Sequence, residues 1–95
     1  MLRSDIRSGD VVYVSTLNSV YTLHARENGT FAVSGGWFDK RGVSPFITGI
    51  NGCTLGGSMI NITTIAACGL CIEFGNRVQT SSIRRITVVR YFRQN

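Results

Sequence analysis

The side chains that could do chemistry are few and far apart in the chain. Cys68-Gly69-Leu70-Cys71 has the spacing of half a zinc site, and Cys53 with His24 would complete a set of three thiolates and one imidazole. Structural zinc needs its ligands to converge tetrahedrally, which a CxxC pair achieves on a tight knuckle. Here the pair falls in an apolar strand-like pattern, where positions i and i+3 face opposite sides of a sheet. Buried free thiols are the plainer account. No metal or other cofactor is expected, and the same geometry weakens a redox reading of the CxxC.

Catalytic groups are equally sparse. His24 is the only histidine, set between Thr22 and Arg26 on the polar side of an alternating segment. No serine elbow or Ser-His-Asp order can be assembled around it, because Gly56-Gly57-Ser58 lacks the Gly-x-Ser-x-Gly spacing. Carboxylate-pair hydrolysis would need two of Asp5, Asp10, Asp39 and Glu73 to meet, and nothing in their spacing forces that. For Glu73 a cross-strand arginine such as Arg77 is the expected partner. The expectation is a protein that is not an enzyme.

Two features fit binding better. In Trp37-Phe38-Asp39-Lys40-Arg41, two large aromatics stand beside two cations, a combination that stacks on bases or anchors a protein interface. The bland alternative folds Trp37 and Phe38 back as a plug in one end of the fold. The second feature is the basic end of the chain. The formal charge is +5, and after Glu73 no acidic side chain occurs, while Arg77, Arg84, Arg85, Arg90 and Arg93 do. Such an end attracts phosphate backbones, although arginines on a last strand also guard its edge. Gly49-Ile50-Asn51-Gly52 matches the GXXG of KH domains, but its flanks read as strands where that loop must join helices.

The elements that position these residues are strands. Valine, isoleucine, threonine, phenylalanine and tyrosine are abundant, and eleven glycines against one proline punctuate short apolar stretches. No segment carries a capped 3.6-residue repeat, so at most one short helical turn is expected. Strands are predicted at 11–14, 19–27, 30–34, 46–50, 58–65, 77–80 and 83–92. Ala66, Cys68, Leu70, Ile72 and Phe74 should share a further buried strand face. In the second strand Tyr21, Leu23 and Ala25 point one way and Thr22, His24 and Arg26 the other. Asn28-Gly29 supplies the positive-φ pair of a tight hairpin turn. A β-bulge at Arg84-Arg85 would return Ile83 and Ile86 to one face.

A chain of 95 residues fits one domain, here taken as residues 1–95. With 43% hydrophobic and 16% charged residues it is neither disordered nor coated with charge. No apolar run approaches the roughly 20 residues of a membrane span, and the charged opening Met1-Leu2-Arg3-Ser4-Asp5 has no apolar stretch behind it. A cytoplasmic protein is expected, which agrees with three cysteines too few for a disulfide framework.

The stretches Asn51-Gly-Cys-Thr-Leu-Gly-Gly-Ser58, Glu73-Phe74 and Thr80-Ser-Ser-Ile-Arg-Arg-Ile86 resemble segments of small bacterial all-β proteins of unassigned function. The resemblance implies a compact β fold and carries over no activity, ligand or site. The expected architecture is all-β, a small antiparallel barrel or roll of about seven short strands, either SH3-like or a compact sandwich. The expected function is a non-enzymatic binding module for an anionic partner such as nucleic acid, with Trp37, Phe38, Lys40, Arg41, Arg84, Arg85 and Arg90 at its surface. The alternative is a homo-oligomeric structural or protein-interaction domain, since small domains struggle to bury all their apolar surface alone.

Overall fold

The computed structural model describes residues 1–56 and 59–90. Seven strands and one short helix run in the order β1 (Val11–Thr16), β2 (Val20–Ala25), β3 (Phe31–Gly35), α1 (Gly36–Lys40), β4 (Phe46–Thr48), β5 (Ile50–Thr54), β6 (Cys71–Phe74) and β7 (Ile83–Val89). Five of them form an antiparallel sheet in the order β4-β3-β2-β1-β7, and β5 pairs with β6 in a separate two-stranded sheet. The all-β expectation holds. The barrel does not: the larger sheet is open, with β4 and β7 as its edges.

Period-two geometry explains the core. Val12, Val14, Tyr21, Leu23, Ala25, Phe31 and Val33 are the alternate residues of three neighbouring strands, and all are buried on one face. Ile50, Cys53, Ile72 and Phe74 of the small sheet belong to the same cluster, joined by Ile65, Ala66 and Phe38. The two sheets are tied where β4 leads into β5, by Gly75 N–H donating to the Gly49 carbonyl at 2.8 Å. Gly49-Ile50-Asn51-Gly52 thus leads into a strand and is no interhelical loop.

The β2–β3 hairpin forms as expected. Asn28 and Gly29 take φ of 64° and 73°, with the turn spanning Glu27–Gly29 and Arg26 N–H donating to the Thr30 carbonyl. The bulge also forms. Ser15 pairs with Arg85 and Thr16 with Ile83, which leaves Arg84 as the extra residue and keeps Ile83 and Ile86 turned toward the core.

Four strand expectations need correction. The predicted 46–50 strand breaks at Gly49, and Ile50 opens β5, which runs on through Asn51 and Gly52 to Thr54 in the smaller sheet. Residues 59–65 form no strand and make only single bridges, Cys53 to Asn61 and Leu2 to Thr64. Residues 77–80 likewise contribute one bridge, Gln79 to Glu73. The shared face from Ala66 to Phe74 is interrupted by a turn at Ala67–Leu70, which leaves Cys68 exposed while Ala66, Ile72 and Phe74 stay buried. The predicted start of the 58–65 strand and the end of the 83–92 strand, with Arg93, lie outside the described residues.

Candidate nucleic-acid interface

The segment between the predicted strands 30–34 and 46–50 contains α1, and its placement follows from two glycines. Gly35 has φ of 97°, and a Cβ there would lie 2.0 Å from the Val20 carbonyl oxygen. Gly36 leaves room for the Tyr21 ring, whose hydroxyl accepts the Trp37 N–H at 3.3 Å. Asp39 closes the turn by accepting from the Gly35 N–H at 2.9 Å and from the Ser44 hydroxyl. These two donors, the Ser44 hydroxyl first, hold the Asp39 carboxyl below its ordinary range.

Docking separates the two aromatics of this segment. Phe38 is fully buried, edge-on to Phe74 at 5.0 Å and stacked on Phe46 at 5.4 Å. Trp37 is only partly buried, and the Arg41 guanidinium lies 5.2 Å from its ring centroid, within cation–π range. Trp37 and the exposed Lys40 border a shallow depression of about 200 Å³ that also takes in Asn18, Ser19, Gln79 and Ser81. Phe38 is therefore part of the floor beneath the surface, and Trp37 is the aromatic that a partner can reach.

The arginines of β7 divide between the two ends of the sheet. Arg85 sits opposite Ser15, near the end that carries α1, and Arg84 is exposed beside it on the bulge. Backbone links from Leu17 N–H to the Ser82 carbonyl and from Asn18 N–H to the Ser81 hydroxyl bring the entrance of β7 against the depression. From Gly35 to Ile86 the register crosses Tyr21 and Val14, three strand spacings or about 14 Å. Arg90 lies at the far end and is committed to Asp10, 2.8 Å away, and to the Asp5 carbonyl. Trp37, Lys40, Arg41, Arg84 and Arg85 thus share an end of the sheet that Arg90 does not.

The acids near this surface form no ion pair with its cations. Glu73 accepts from Asn51 at 2.8 Å and from Gln79 at 2.9 Å, and these neutral donors, with Asn51 the larger influence, hold its carboxyl below the usual range. Arg77 contributes to it only as a nearby charge, which corrects the expected cross-strand ion pair. Asp5 accepts the Leu2 N–H. Among the described residues a single ion pair forms, Arg90 with Asp10.

The remaining candidates are dispersed. Cys53 is buried and donates to the Ile65 carbonyl, with burial pushing its thiol up, while Cys68 lies exposed in the turn and Cys71 begins β6. No group of three His, Cys, Asp or Glu side chains converges among the described residues. His24 stands on the open face of the sheet between Val11 and Ala32. No described helix is long and apolar enough to cross a membrane.

Fold and site together define an all-β domain, an open antiparallel sheet backed by a two-stranded sheet, with an arginine-rich end flanked by one accessible tryptophan. No family model, curated protein or solved structure matches the chain.

Proposed function

We propose that this protein is a non-enzymatic binding module whose partner is a nucleic acid. The observation that carries the reading is the excess of unpaired cations at the α1 end. Lys40, Arg41, Arg84 and Arg85 form no ion pair with a carboxylate among the described residues, and as four cations they outnumber the two nearby carboxylates, Asp39 and Glu73. Guanidinium groups without acid partners are free to displace counterions from a phosphate backbone. Trp37, held against Arg41, supplies a ring edge and a cation for an unpaired base. Phe38 enters the reading only as the support beneath Trp37, and Arg90 as part of the scaffold.

Fluorescence anisotropy with labelled single- and double-stranded oligonucleotides, run as a salt series, tests this. Binding that weakens steeply with salt is expected, with the single strand preferred. Replacing Arg84 and Arg85 together by alanine should lower the log–log salt slope by about 1–2. Absence of binding at low salt, or an unchanged slope in the double variant, would overturn the assignment.

A second reading, self-association, is supported by the open face of the sheet. Tyr13, Val20, Ile47 and Val89 are 43–55% exposed there, and β4 and β7 are the edge strands of the sheet. Light scattering across a concentration series decides it: a growing mass supports a second copy on this face, and a constant monomer removes it.

A further inference from the structure

A second basic cleft lies at the other end of β2 and β3, away from α1. Its walls are the 3₁₀ segment that begins at Arg3 with the residues following it, and the Glu27–Gly29 turn. The volume is about 270 Å³, just below the range of roughly 300–1,000 Å³ usual for small-molecule sites. Ile6 and Phe31 contribute apolar surface, and three arginines, Arg3, Arg7 and Arg26, meet around it with one acid, Glu27.

The three guanidinium groups are not equivalent. Arg3 is fixed by donating to the carbonyls of Ile50 at 2.7 Å and Ile62 at 3.0 Å, so it builds the wall yet keeps its charge, since carbonyls are neutral. Arg7 and Arg26 make no side-chain hydrogen bond or ion pair among the described residues, although their backbone amides are engaged. No described carboxylate forms an ion pair with either guanidinium. Asp5 accepts the Leu2 N–H, and Asp10 accepts the Arg7 N–H and the Arg90 guanidinium. Among the lining side chains three cations stand against one acid, Glu27, so the lining carries a net positive charge. Forked donors above an apolar floor suit a phosphate carried on a flat organic body.

We infer that this cleft binds a small phosphate monoester of mononucleotide size, with Arg7 and Arg26 gripping the phosphate and Ile6 and Phe31 supporting the ring. The site is separate from the α1 end, and the inference does not depend on polymer binding there. Arg7 and Arg26 lie 19 positions apart in the chain, and only the packing of the first residues beside the β2–β3 turn brings them to one cleft.

Isothermal titration calorimetry with AMP, adenosine and inorganic phosphate tests it on the full chain. AMP should bind at least tenfold more tightly than adenosine, with inorganic phosphate weaker than AMP. Arg7→Ala with Arg26→Ala should reduce AMP affinity at least tenfold, while Arg7→Lys with Arg26→Lys recovers part of it. Arg84→Ala with Arg85→Ala should leave AMP binding unchanged and lower only oligonucleotide binding. Equal affinity for AMP and adenosine, no AMP binding at millimolar concentration, or an Arg7/Arg26 alanine variant as tight as wild type would each overturn the inference. Oligonucleotide binding without AMP binding would overturn it and leave the α1-end reading standing.

Discussion

Asp10 and Arg90, 80 positions apart, meet at 2.8 Å and fasten the entrance of β1 to the far end of β7. Asp10 is 2% exposed, and its carboxylate also accepts the Arg7 N–H at 3.0 Å. A buried carboxylate bonded to a cation makes that cation structurally important, because removing it weakens the compensation of a charge in a poorly solvated place. Arg90→Ala should therefore destabilise the fold. Since the Arg90 side chain stays 44% exposed, water screens part of the loss. We expect about 2 kcal/mol, below the roughly 3–5 kcal/mol of a fully buried pair. Urea unfolding measures it, and an unchanged midpoint would show the pair to be dispensable.

Phe38 and Trp37 are adjacent in sequence and should fail in different assays. Phe38→Ala empties the centre of the aromatic cluster formed with Tyr21, Phe46 and Phe74 and should cost about 3–5 kcal/mol. In a domain whose total stability is about 5–15 kcal/mol, that change approaches unfolding. Trp37→Ala should unfold at nearly the wild-type denaturant concentration and lose about 1–3 kcal/mol of single-strand affinity. The pair of assays separates support from contact, and a stable Phe38→Ala protein would contradict the packing.

Gly35→Ala should destabilise by about 2 kcal/mol or more, since the new methyl would press on the Val20 carbonyl and φ of 97° is unfavourable for alanine. The near-ultraviolet circular dichroism of Trp37 should weaken with it, because α1 loses its seat. Gly29→Ala, which meets nothing within 4 Å, carries only the positive-φ penalty and should cost less.

Glu73 links stability to acid pH. Its folded carboxyl is held below the ordinary value by Asn51 and then Gln79, so its contribution is fully present above the unfolded glutamate value. That contribution is lost as pH falls through the lowered folded value. Asn51→Ala should raise the Glu73 midpoint toward an ordinary glutamate in a carboxyl-detected NMR titration. The stability gap between this variant and wild type should narrow as the solution is acidified; a gap constant with pH would contradict the assignment.

What could be read from the residues alone was local. Alternation in 20–25 placed Tyr21, Leu23 and Ala25 inside, and Asn28-Gly29 set the turn, because side-chain period and positive φ are properties of neighbouring residues. The bulge was legible at Arg84 for the same reason, since two adjacent arginines between Ile83 and Ile86 break an alternation the core requires. Residues 59–65 misled because their composition suits a strand, whereas continuous pairing is set by how the segment lies against its neighbours, and here it reduces to single bridges.

The sequence by itself therefore determined an all-β chain, its hairpin, its bulge and a positive charge with few acids to balance it. Only the tertiary structure decided that the sheet stays open, that Phe38 turns inward while Trp37 remains at the surface, that Arg90 serves Asp10, and that Arg7 meets Arg26 across a cleft. Each of those outcomes depends on residues distant in the chain, and strand order and docking are selected by the packing of the whole core, which no local pattern encodes.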